Sequence, residues 1–172
     1  MENSTLTDQE ANQKKTTYAG FWWRFLAHLI DNIILSFVLG IFLIPVFGVF
    51  GISVYSMERS GAQFEDNPAF VGSIIFLYMS VAFISLVVTW LYYAIMESSK
   101  MQGTVGKLAL RIKVTDYDGN RVSFGRATGR YFGKILSWLI LMIGYIMAGF
   151  TEKKQALHDI LANCYVIKEH LN

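Results

Sequence analysis

The chain has 172 residues, of which 53% are hydrophobic, 15% aromatic and only 16% charged, with a formal net charge of +2. Soluble domains are about a quarter charged, so the composition excludes an ordinary soluble domain and reads as one small polytopic membrane domain. No nucleic-acid-binding module is present, and a lone cysteine, Cys164, excludes an internal disulfide and reads as a small buried apolar residue.

Residues 1–17 are polar and expected to be a disordered tail. They are not read as a cleavable signal peptide, because the apolar run behind them starts late, is too long and lacks a small-residue cleavage site. The first membrane helix is expected from Tyr18 to Ile44, with Trp22 and Trp23 as interfacial anchors and Pro45 ending or kinking it. Val46–Met57 is apolar but interrupted by Gly48 and Gly51, and either continues the helix past the kink or lies at the surface. The loop MERSGAQFEDNP carries three acids against one base, and a second helix follows from Ala69 to Met96, ending at Glu97.

Between Ser98 and Arg130 stand seven bases (Lys100, Lys107, Arg111, Lys113, Arg121, Arg126, Arg130) and two acids. A multi-pass protein of the cell membrane is expected, and the positive-inside rule puts this segment and the N-terminus in the cytoplasm and the acidic loop outside. Within it, alternation at Leu108, Leu110, Ile112 and Val114, then Asp118-Gly119, predicts a strand, a turn and a short second strand; an interfacial helix over 104–113 is the alternative. GTVGK is not a phosphate loop, since Met101 and Leu108 occupy positions that need Gly and Ser or Thr.

From Ser123 the pattern is helical. Arg126, Arg130 and Lys134 recur every four residues and suit an anionic lipid leaflet or a solvated face. Gly125, Gly129 and Gly133 form an adjacent stripe that would let another helix pack closely. The apolar remainder, 135–150, spans ~24 Å, short for a full crossing. Lys153 and Lys154 follow it, so a helix hairpin or re-entrant segment returning the C-terminus to the cytoplasm is expected, with a plain third crossing as the alternative. The tail reads as a short helix with an apolar stripe and then a strand, CYVIK, suited to pair with ALRIKV in a small cytoplasmic β-element.

Arg24, His28 and Asp31 stand at i, i+4 and i+7, within roughly 60° of one helix face. Asp31 lies roughly 15 Å into the helix, near the middle of a ~30 Å hydrocarbon core. An ionisable group at that depth is a functional-site hypothesis by default. A carboxyl group there can hold either a proton or a hard cation, with Asn32 and Ser36 as possible supporting oxygens. The competing interpretation is a structural network in which His28 bridges Arg24 and Asp31. His158-Asp159 is more often a capping or interface pair than a catalytic dyad, and the spacing of His28, His158 and His170 is not that of a metal site. Neither catalysis, nor a metal, nor a cofactor is expected.

FWWRFLAHLIDNIIL, GTVGKLALRIKVTDYDGNRVSFGRATGR and KKQALHDILANCYVIK together resemble the RDD membrane proteins, named for one arginine and two aspartates. The resemblance covers residues 18–168, leaving 169–172 as a short tail. It maps the arginine onto Arg24, the first aspartate onto Asp31 and the second onto Asp159; Asn163-Cys164 departs slightly from the family pattern. It implies a helical bundle of two full transmembrane helices plus a third hairpin or crossing, possible transport of an unknown ligand, and in some members monovalent cation/proton exchange. The alternative role is that of a regulatory or assembly partner of another membrane protein. The expected partners are the lipid bilayer, monovalent cations and protons, and a second copy of the chain or another membrane protein.

Overall fold

The computed structural model describes residues 17–61, 68–140 and 143–169. The expected tail apart from Thr17, residues 62–67 of the acidic loop, and residues 170–172 lie outside the described residues. The elements in chain order are β1 (Thr17–Tyr18), α1 (Phe21–Arg59), α2 (Pro68–Ser98), α3 (Val105–Ala109), β2 (Ile112–Asp116), α4 (Phe124–Leu139), α5 (Ile143–Phe150), α6 (Leu157–Leu161) and β3 (Cys164–Lys168). The fold is mainly helical, with one small sheet.

α1 and α2 are long and apolar enough to cross a membrane. Large side chains on them, such as Phe42 and Phe76, are more than two-thirds exposed on the protein surface. That pattern suits hydrocarbon as the surrounding solvent rather than water. α1 starts at Phe21, later than expected, because Thr17 and Tyr18 are taken up as a strand. It also continues past Pro45 without a break, so Val46–Met57 is helix. Proline there removes one backbone donor, a loss that membrane helices tolerate. Pro68 opens α2, where its missing N–H costs nothing.

The described residues divide into two compact units, one comprising the chain up to Leu29 together with Tyr93 onward, the other Ile30–Tyr92. The second consists of the apolar lengths of α1 and α2. The first contains the sheet, the four short helices and the ends of the long ones.

In the first unit the sheet order is β1-β3-β2, all antiparallel. β2 pairs with β3 as expected, Val114 opposite Val166 and Ile112 opposite Lys168, and the buried face carries Ile112, Val114, Cys164 and Val166. Two expectations are corrected. The strand does not begin at Leu108: Val105–Ala109 is a helical turn, and Arg111, at φ +55°, turns the chain into β2. The second strand shrinks to a single bridge, Thr115 to Arg121, across a turn in which Asp116 Oδ1 accepts from the N–H groups of Asp118 and Asn120 and Gly119 takes φ +83°. The unexpected strand is β1, which pairs with the other side of β3.

Ser123 caps α4 by accepting from the Arg126 N–H. The apolar segment over 135–150 is not one straight helix: α5 is bent by 102° from α4. Gly144 lies so close to Ser137 that a Cβ would sit 3.0 Å or less from its Cα, Cβ and Oγ. α6 packs on both α4 and α5.

Candidate functional site

The first unit encloses a network of buried charges. Glu97, at the last turn of α2, has its Oε1 bonded to Lys107 Nζ at 2.5 Å and its Oε2 to Arg130 Nη1 at 3.0 Å. Lys134 Nζ is 3.7 Å from the same carboxylate and 4.0 Å from the centre of the Tyr93 ring. Arg130 Nε continues to Asp159 Oδ1 at 2.9 Å. Asp159 Oδ2 is paired with Arg24 Nη1 and accepts from its own helix start, the Ala156 N–H, at 3.0 Å. Arg24 also donates through Nε to the Ala19 carbonyl at 2.8 Å and through Nη2 to the Lys154 carbonyl at 2.5 Å. Five elements thus converge on two carboxylates.

Four cations, Arg24, Lys107, Arg130 and Lys134, face these two acids. The excess has consequences for protonation. Burial, aided by Arg130, pushes Lys107 down to about 7 in spite of Glu97. Burial would raise Asp159, but Arg130 and Arg24 outweigh it and hold the carboxyl well below its usual range. Burial and the surrounding cations push His158 down to about 3, so it is neutral at physiological pH.

Ser137, His158 and Asp159 have the composition of a hydrolytic triad, with Ser137 Oγ 3.4 Å from His158 Nδ1 and His158 Nε2 3.6 Å from Asp159. The geometry does not support that chemistry. Ser137 Oγ donates to the Gly133 carbonyl at 2.9 Å, is fully buried, and is covered by Gly144. No room is left beside it for a substrate carbonyl.

In the second unit Asp31 is fully buried and its Oδ1 accepts from the Tyr92 hydroxyl at 2.8 Å. His28, in the first unit, has Nδ1 2.8 Å from the Tyr93 hydroxyl. The stripe Arg24, His28 and Asp31 therefore engages Asp159, Tyr93 and Tyr92 respectively.

Several expected roles change. Arg130 cannot meet lipid headgroups, being 2% exposed and turned onto Glu97 and Asp159. A four-residue step advances about 40° round a helix, so the basic row drifts from exposed Arg126, 3.9 Å from Asp116, to inward Arg130 and Lys134. Asn32 and Ser36 are exposed, about 100° and about 140° round the helix from Asp31. Gly133 does pack closely, a Cβ there meeting His158 Cβ at 3.0 Å, whereas Gly125 and Gly129 have open space. Among the described residues no group of three His, Cys, Asp or Glu side chains is arranged to hold a metal.

Sequence reasoning missed Glu97, Lys107 and Tyr92. The available signals were an acid ending an otherwise apolar helix beside a strongly basic segment, and a tyrosine pair one turn before it.

Comparison with known proteins gives a consistent result. The RDD family model matches residues 18–163. The chain is 41% identical over 149 residues to the uncharacterized protein YxaI of Bacillus subtilis (strain 168), covering 87% of this chain and 96% of that protein. It is 31% identical over 175 residues to the uncharacterized membrane protein YteJ of the same organism, covering 98% and 92%. No solved structure matches.

Proposed function

This chain belongs to the RDD family of membrane proteins, and from that premise we propose that it exchanges protons for a monovalent cation at Asp31. The observation that carries this reading is a carboxyl group wholly buried in an apolar membrane helix, with the Tyr92 hydroxyl bonded to it. Such a group is costly to keep in hydrocarbon and marks ion or proton pathways. The carboxyl takes up either a proton or a hard cation such as Na⁺, Li⁺ or K⁺. Tyr92 donates to the ionised form and has oxygen lone pairs to offer a cation. We further propose that the basic segment 98–130 and both termini face the cytoplasm, that the protein resides in the cell membrane, and that it is not an enzyme. Two long helices enclose little volume, so the working unit is a homo-oligomer or a complex with another membrane protein.

A second reading, a regulatory or assembly partner of another membrane protein, is favoured by the ion network. Among the described residues every buried side-chain nitrogen and oxygen has a hydrogen-bond partner, as expected of groups that hold a fold together.

The two readings separate in proteoliposomes containing only the purified protein, wild type beside Asp31→Asn. Cation-dependent proton flux that is lost in the folded variant supports exchange. No flux from folded wild type with Na⁺, Li⁺ or K⁺ at several pH values overturns it in favour of the partner role.

A further inference from the structure

In the first unit, the opening turn of α1 and the end of α5 border an apolar groove of about 530 Å³. Phe21, Trp22, Ile146 and Phe150 line it, and Lys154 stands at its rim. Gly149 keeps its floor open, the nearest atom to a Cβ there being Phe21 Cβ at 3.9 Å. Trp22 and Phe150 are 75% and 85% exposed, among the most exposed large apolar side chains of the protein.

The rim cation is hydrogen-bonded beside the groove through both its backbone and its ammonium group. Lys154 adopts φ +49°, its carbonyl accepts from Arg24 Nη2, and its Nζ donates to the Gly149 carbonyl at 3.0 Å, beside the groove floor. A second cation stands nearby, Lys168 Nζ lying 3.7 Å over the ring of Trp23, which also lines the groove.

We propose that this groove binds one acyl chain of an anionic phospholipid, with the headgroup phosphate at Lys154. Three observations argue for that occupant. The groove lies on the first turn of a helix long and apolar enough to cross a membrane, beside Trp22 and Trp23, the residue type enriched at the boundary between hydrocarbon and headgroups. Its walls are aromatic and aliphatic while its rim is cationic, the polarity of a phospholipid in reverse charge. The exposed aromatic surface would be costly in water but is satisfied by a lipid chain. Asp31 is not among the residues that line the groove, and the proposal does not depend on an exchange activity.

The test uses the full chain in nanodiscs of phosphatidylcholine, into which brominated phosphatidylglycerol or brominated phosphatidylcholine is titrated while tryptophan quenching is followed. Wild type should prefer the anionic lipid by about fivefold, the effect of one well-placed cation. Lys154→Glu and the milder Lys154→Gln should bring that preference close to one without removing chain-dependent quenching. Gly149→Leu fills the floor and should weaken quenching by both lipids, with Gly149→Ala as the smaller step. Equal quenching by both lipids in wild type, or no change in any folded variant, overturns the proposal. So does competition by soluble glycerol phosphate, which would make the site one for free phosphate.

Discussion

Arg24, in the first turn of α1, donates to the carboxylate of Asp159, 135 residues further along the chain. Two of the residues that carry the family resemblance are thus one ion pair, and Arg130 completes it from α4. Removing the acid should take one partner from buried Arg130 and from part-buried Arg24 and leave the Ala156 N–H unsatisfied. Asp159→Ala is expected to lose about 3–5 kcal/mol, read from unfolding in detergent. Asp159→Asn, which retains an acceptor for Ala156, should lose less.

Glu97 and Lys107 form the second buried contact, and their energies should not add. A double-mutant cycle with Glu97→Gln and Lys107→Met should return a coupling of about 0.5–3 kcal/mol. Lys107 gives up its proton near 7 in the fold but near 10.5 when unfolded. Across that window the unfolded chain binds more protons, so wild-type stability should rise with pH. The slope should disappear in Lys107→Met; an unchanged slope would mean that another group titrates.

His158 predicts acid lability. Its folded value is about 3 against 6.5 for an ordinary histidine, so below pH 6.5 only the unfolded chain takes up this proton. Stability should therefore fall as pH drops from 6.5 toward 3, and Asp159, also held low, adds to the loss at the acid end. Melting curves of His158→Gln should be flatter between pH 6.5 and 4 than those of wild type.

The glycines should divide into two groups. Gly144→Ala drives a methyl group into Ser137 and Gly133→Ala presses on His158, so each should destabilise by about 1–3 kcal/mol. Gly129→Ala meets open space and should stabilise α4 by up to ~1 kcal/mol. If size measurements instead find that Gly125→Ala or Gly129→Ala breaks an oligomer, those positions form a helix contact between copies.

Tyr92→Phe removes the hydroxyl that donates to Asp31 while keeping the ring. Under the exchange reading, cation-driven flux should fall several-fold and its pH optimum should move, with folding intact. An unaltered flux and pH profile would rule out a role for Tyr92 in ion binding.

The long helices and the β2–β3 pair were legible because hydrophobic runs and alternation report local burial directly. At Pro45 the sequence allowed an end or a continuation past a kink, and the helix continues, since a membrane segment tolerates the lost backbone donor. Alternation through Leu108 and Leu110 misled, because in so short a stretch strand and helical turn share the pattern. β1, a strand of two residues, is too short to show any period. Asp31 could be singled out from its depth in an apolar segment and Arg24 from sharing its helix face, but Arg24 engages an acid near the far end of the chain. No spacing rule reaches from residue 24 to residue 159 or from 97 to 130. Arg130 looked like a member of a surface row because its partners lie on other elements.

The middle strand of the sheet, β3, is also the last one to be made. Until residues 159–168 have been synthesised, β1 and β2 have no common neighbour, and Arg24 and Arg130 have no Asp159. Both long helices can enter the bilayer well before that moment. Chain order therefore lets insertion of the helices precede closure of the sheet and the ion network, and a chain stalled before residue 159 would lack the means to close either.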